Sequence, residues 1–160
     1  MTDNTTLLAH LQAETAAIRQ FNDLLKAEQK ALSSNQIDTL TQFAQNKSGQ
    51  VEALNRLAAE RMAQLASLGI RADERGMEQW LATAGSEARK VWTTLLDVAR
   101  EANANNQING KLIQQCMQQH QQALSVLMAA ANQVKLYGAD GQAQKAYPGA
   151  GASRGIIGTA

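Results

Sequence analysis

The only pair of residues whose types and spacing suggest chemistry is Cys116 and His120. Four residues apart on a helix, their side chains share a face and could both reach a metal ion. Two ligands do not close a metal site, and the other histidine, His10, is far away in sequence. A cysteine nucleophile at Cys116 would have only His120 within helical reach as its base, so the plainer reading is a pair of half-buried packing residues. The segment GAGASRG near the C-terminus lacks the preceding strand and the spacing of a phosphate-binding loop. There is no H-E-x-x-H and no paired-cysteine motif, and Asp and Glu fall on outer helix faces. No catalytic residue, cofactor or metal is expected, and the chain reads as a non-enzyme.

Composition says which elements would carry any other activity. The chain has 160 residues, a net charge of +1 and 18% charged residues. Such a charge balance gives no footprint for nucleic acid or an anionic membrane. Aromatics make up 4% and there is one proline, while Ala, Gln and Leu abound, which favours helices over sheet. A single cysteine excludes an internal disulfide framework. The N-terminus has no basic, apolar leader pattern, and no segment is apolar enough to insert into a membrane, so a cytoplasmic protein is expected.

The periodicity predicts an all-α protein: an antiparallel helical bundle or coiled coil of three long helices plus a short one, ending in a flexible tail. A first helix over about residues 3–32 repeats Leu11, Ile18, Leu25 and Leu32 every seven residues. Glu14 and Glu28 adjoin that seam and imply packing that is imperfect there or close to an end, and Glu28 also reads as part of a solvated face with Asp23, Lys26 and Lys30. Ser34 or Asn35 can cap the next helix, about residues 36–68, and so short a connection turns it back antiparallel. Its seam runs through Ile37, Ala44, Val51, Ala58 and Leu65, with Leu40, Leu54 and Leu68 beside it and Lys47 and Arg61 as exceptions. Gly49 reads as a tolerated surface glycine and Gly69 as the helix stop. Met77, Trp80 and Leu81 mark a short helix closing at Gly85, with Trp80 covering an end of the bundle.

Ser86 caps a third long helix in which Trp92, Leu95, Ala99, Ala102, Asn106, Asn109, Ile113, Cys116 and their successors to Val134 follow a 4-3 spacing without a phase slip. The register points to one helix of about 50 residues, about 75 Å long at 1.5 Å per residue. The composition around Asn109-Gly110 points instead to a break and a four-helix bundle. The domain is drawn at residues 1–138. The remainder, 139–160, is a Gly-rich tail, since six of the eleven glycines and Pro148 fall from Gly138 onward.

Between Leu112 and Val134 there is no Asp, Glu, Lys or Arg. The apolar band there is wider than a coiled-coil seam. One edge can pack on the first two helices, and the remainder would be open unless it self-associates or receives another chain. Met117 and Met128 are adaptable contact residues of the kind found on helix-accepting surfaces.

The chain resembles the FlgN-type flagellar export chaperones over nearly its whole length. The resemblance rests on the hairpin with Gln36-Ile37-Asp38-Thr39-Leu40 after its turn, on Asn106…Asn109-Gly110-Lys111-Leu112-Ile113, and on Leu136-Tyr137-Gly138 followed by Asp140-Gly141-Gln142. It implies a cytoplasmic chaperone of the flagellar type III secretion system. Such a chaperone binds the C-terminal helices of the hook–filament junction (hook-associated) proteins, prevents their premature assembly and delivers them to the export gate. By the same resemblance the client-binding residues are Ile113, Cys116, Met117, Leu124, Leu127, Met128 and Ala131, and Tyr137 docks on the cytoplasmic domain of the export-gate protein. A self-associating structural or regulatory coiled coil is the alternative, and a client-free chaperone is itself expected to form a homodimer through its open face.

Overall fold

A computed structural model describes residues 2–134, with side chains described over residues 4–131. Four α-helices and one 3-10 turn make up these residues, with no strand among them: α1 (Thr2–Ser33), a 3-10 turn (Ile37–Thr39), α2 (Leu40–Ser67), α3 (Glu74–Thr83) and α4 (Ser86–Val134). The all-α bundle expected from the periodicity is therefore the architecture observed. The chain divides into two compact units, Met1–Cys116 and Met117–Ala160. The anticipated tail, 139–160, and Tyr137 lie outside the described residues.

In the first unit α1 is the central helix. Leu7, Leu11, Ile18, Leu25, Ala31 and Leu32 are all buried along its length, as the seven-residue repeat requires of a helix covered on more than one side. Glu14 and Glu28 are buried with them. This corrects two expectations: the carboxylates do not mark loose packing, and Glu28 does not face solvent. Each meets one of the charged exceptions on α2. The Arg61 guanidinium donates from Nε to Glu14 Oε2 at 2.8 Å and from Nη2 to Oε1 at 3.3 Å, and Lys47 Nζ donates to Glu28 Oε2 at 3.1 Å. Residue 28 pairs with 47 and residue 14 with 61, so α2 runs antiparallel to α1. Four positions that break the apolar pattern thus satisfy one another, as burial of charge demands.

The α1–α2 turn is built differently from the capping first inferred. Asn35 adopts the left-handed conformation (φ 56°). Gln36 N–H donates to Ala31 O at 2.9 Å and Asn35 N–H to Leu32 O at 3.1 Å, which closes the end of α1 as a Schellman motif. Asn35 therefore terminates the first helix rather than starting the second, and neither the 3-10 turn nor α2 has a side-chain cap. Gly69 does what its position promised. At φ 71° its N–H reaches Ala66 O at 3.0 Å while Ile70 N–H reaches Leu65 O at 3.0 Å, the same motif at the end of α2.

The short helix α3 starts from Asp73, whose carboxylate accepts from Gly76 N–H at 2.9 Å. That bond, with Arg71 beside it, holds the Asp73 carboxyl below its ordinary value. A Cβ at Gly76 would sit 1.8 Å from the Arg71 carbonyl oxygen, so no other residue fits this approach. Trp80 is buried, and its indole N–H donates to Asn4 Oδ1 at 2.9 Å across to the start of α1. Before α4, the carbonyl of Gly85 accepts the first helical N–H, from Arg89 at 3.4 Å, so Gly85 stands in the capping place assigned to Ser86.

Helix α4 is continuous over 49 residues, which decides between the two readings in favour of the register. Asn109 explains why so polar a stretch stays helical. It is fully buried, and its amide donates to Leu25 O and to Glu28 Oε2, both at 2.8 Å. Asn105 likewise donates to Asn22 Oδ1 at 2.7 Å. On α1 these partners rise in number as those on α4 rise, so the two helices run parallel. Gly110 meets open space and is simply carried along.

Candidate functional site

Along α4 every seventh residue from Ala88 to Cys116 is buried: Ala88, Leu95, Ala102, Asn109 and Cys116. The upper half of this row packs Leu95 and Ala102 against the leucine seam of α1. The lower half is polar, and at its end Cys116 Sγ contacts Asn35 Oδ1 at 3.7 Å. Lys26 Nζ closes the flank at 2.8 Å from Glu101 Oε1. The hydrogen bond with Glu101 raises the lysine above its ordinary value, and the same bond, with a second from Asn22, lowers the Glu101 carboxyl.

In the second unit the described residues are the remainder of α4. Met117 is 65% exposed, Leu124 58%, Leu127 66% and Met128 60%, and Ala131 is exposed too. Offsets of 7, 10, 11 and 14 from Met117 place these side chains on one stripe about 100° wide. His120 lies within the stripe and is exposed, whereas Val126, also exposed at 68%, points to the opposite side. No charged side chain borders the stripe, which is flanked by Gln121 and Ser125 on one edge and by Ala123 and Ala130 on the other.

The seven residues singled out from the sequence therefore divide. Met117, Leu124, Leu127, Met128 and Ala131 form one exposed face in the second unit. Ile113 is half-buried and Cys116 is buried, both in the first unit. Buried Cys116 and exposed His120 are not presented together, and no three His, Cys, Asp or Glu side chains converge among the described residues. None of the described helices is long and apolar enough to cross a membrane. Sequence reasoning missed the paired charges Glu14–Arg61 and Glu28–Lys47. Their signal was present: opposite signs at seam positions equidistant from the turn between two antiparallel helices.

By its fold the chain is an all-α helical bundle, and among the described residues one uncharged apolar face of α4 is exposed. The family model described as FlgN protein matches residues 1–145, and the chain belongs to that family. These are flagellar export chaperones, which act in flagellum biogenesis by binding flagellar substrate proteins and are not known as enzymes. No curated protein and no solved structure gives a match.

Proposed function

We propose that this chaperone acts in the cytoplasm, binds the C-terminal helices of the hook-filament junction proteins and delivers them to the type III export gate. One observation carries the reading: the apolar face of Met117, Leu124, Leu127, Met128 and Ala131 stands open to solvent on a regular helix. Contiguous exposed apolar surface on a helix is costly to keep and marks a contact site. A client helix laid along it gains about 25 cal/mol for each Å² of apolar surface removed from water, less the cost of ordering the client. The same burial hides the client's own stripe and so prevents premature assembly. Release needs no chemistry, because a gate that competes for either partner shifts the equilibrium.

Ile113 and Cys116 contribute in this reading as the packed base from which the open face continues in sequence. Tyr137, outside the described residues, is proposed as the separate docking point for the export gate. The test is calorimetric titration with a peptide from the C-terminal helical region of a hook-associated protein. Leu127→Asp, which puts an unpaired charge in the contact, is expected to abolish binding. Tyr137→Ala is expected to leave peptide binding intact and weaken capture by the cytoplasmic domain of the export-gate protein. Wild-type peptide affinity in Leu127→Asp would sink the assignment, and loss of both activities in Tyr137→Ala would make that residue structural.

A further inference from the structure

Two buried ion pairs cross the hairpin of α1 and α2, and they recur at a fixed interval. Glu14 and Glu28 lie 14 residues apart on α1, and Lys47 and Arg61 lie 14 apart on α2. Midway between the pairs stand Phe21 and Leu54, and one heptad beyond Glu14–Arg61 stand Leu7 and Leu68, all four in or against the apolar core. Charged and apolar layers therefore alternate along the seam. Both carboxylates are almost wholly withdrawn from water, Glu14 at 5% exposure and Glu28 at 2%. Each has its cation within hydrogen-bond distance, Arg61 Nε at 2.8 Å and Lys47 Nζ at 3.1 Å.

Neither stability nor register accounts for these layers. Withdrawing a paired charge from water costs about as much as the pairing returns, and well-packed apolar residues in its place do as well or better. The register of the hairpin is already set by its short turn, closed at Asn35. What the layers do change is which helix α1 accepts. Helix α2 is poorly covered, since only Leu65 is buried along it. An open trough of about 650 Å³, lined by Leu40, Ala44 and Val51 of α2, reaches Glu28 and Lys47 in the seam. An apolar helix near this protein therefore has a route to α1. Were the seam apolar throughout, that helix would take the place of α2 with equal burial. With Glu14 and Glu28 in the seam, the exchange strands two carboxylates without a cation, which is strongly unfavourable.

We propose that Glu14–Arg61 and Glu28–Lys47 are specificity-determining pairs, which reserve α1 for α2 and refuse it to uncharged apolar helices. The proposal rests on the client reading only in supposing that such helices come near. Amide hydrogen exchange of the full chain tests it, with an uncharged Leu/Gln amphipathic peptide as the probe and a peptide of a hook-associated protein's C-terminal helix beside it. Three variants make the layers apolar: Arg61→Met with Glu14→Leu, Lys47→Met with Glu28→Leu, and all four substitutions together. All are expected to keep the helical circular-dichroism signal of wild type. In excess Leu/Gln peptide, wild type is expected to keep its protection across α2. The fourfold variant is expected to exchange there at least about tenfold faster, with the two single-layer variants between. A folded fourfold variant whose α2 exchanges alike with and without peptide overturns the proposal, and so does a wild type whose α2 is displaced as readily. If the fourfold variant does not fold, the single-layer variants decide by the same comparison. If none of the three folds, the pairs hold the bundle together rather than choose its helices, and the proposal is overturned. The Leu/Gln probe decides the role of the pairs whether or not the hook-associated peptide binds. Failure of that second peptide to bind wild type counts against the client reading alone.

Discussion

Helix α4 contains two stretches written in the same seven-residue rhythm and treated in opposite ways. Ala88, Leu95, Ala102, Asn109 and Cys116 are buried at successive heptads. The next two members of that row, Ala123 and Ala130, are exposed, as are the large residues beside them. Hydrophobic periodicity thus specifies a helix and the face it wants covered. It does not say whether the cover comes from the same chain. Where α1 supplies the cover, the row tolerates asparagine, because Asn109 finds Leu25 O and Glu28 within reach. Where no neighbour among the described residues covers the helix, the face is made of Met, Leu and Ala without charge.

The sharpest way to break this comparison is to truncate one leucine in each stretch. Leu95→Ala removes a fully packed side chain and is expected to cost about 2–5 kcal/mol in urea unfolding. Leu127→Ala is expected to change stability by less than about 0.5 kcal/mol, because Leu127 is exposed and none of the described residues covers it. Equal losses would mean that the 117–131 face is covered after all.

Next in size is the covering by charge. Arg61 lies 5.2 Å over the Trp92 ring of α4 while it pairs with buried Glu14. Arg61→Met strands the carboxylate and is expected to cost about 3 kcal/mol. The double variant Arg61→Met with Glu14→Leu is expected to recover most of that loss, measured by the same unfolding curves. A double variant no better than the single would show that the cation's contact with Trp92, not the ion pair, does the covering.

The smallest effect is a pH dependence from Lys26 and Glu101, which tie α1 to the covered stretch at the surface. Glu101 is lowered by its bond to Lys26, so its contribution is complete above the ordinary carboxylate range and is lost as pH falls through the lowered value. Lys26 is raised by the same bond, so its contribution is complete below the ordinary lysine range and is lost as pH rises through the raised value. Stability from this pair is therefore flat around neutrality and declines at both extremes. Thermal midpoints of wild type and Glu101→Gln are expected to differ slightly at neutral pH and to converge in acid. Identical midpoints at neutral pH would show that solvent screens the pair completely.

These particulars mark how far the sequence was legible. The leucine repeat of α1, the stop at Gly69 and the unbroken register of α4 follow from local rules and were readable. The seats of Glu14, Glu28, Arg61 and Lys47 were missed although their signal was there, because a charge in a seam reads as a defect until it is matched with the opposite charge at equal distance across the turn. Asn35 was misassigned because one asparagine suits both a helix start and a left-handed helix end, and only the bonds to Ala31 and Leu32 separate the two. Of the candidate face, its chemistry was legible. The division at Cys116, buried in the first unit, required the three-dimensional neighbour.

The central claim is that the open face of α4 is where the client sits. Amide hydrogen exchange of the whole chain, with and without a peptide of a hook-associated protein's C-terminal helix, tests it most directly. Added peptide is expected to slow exchange across 117–131 and to leave the already covered stretch from Ala88 to Asn109 unchanged. Protection that appears elsewhere, with 117–131 exchanging as in the free protein, would contradict the account.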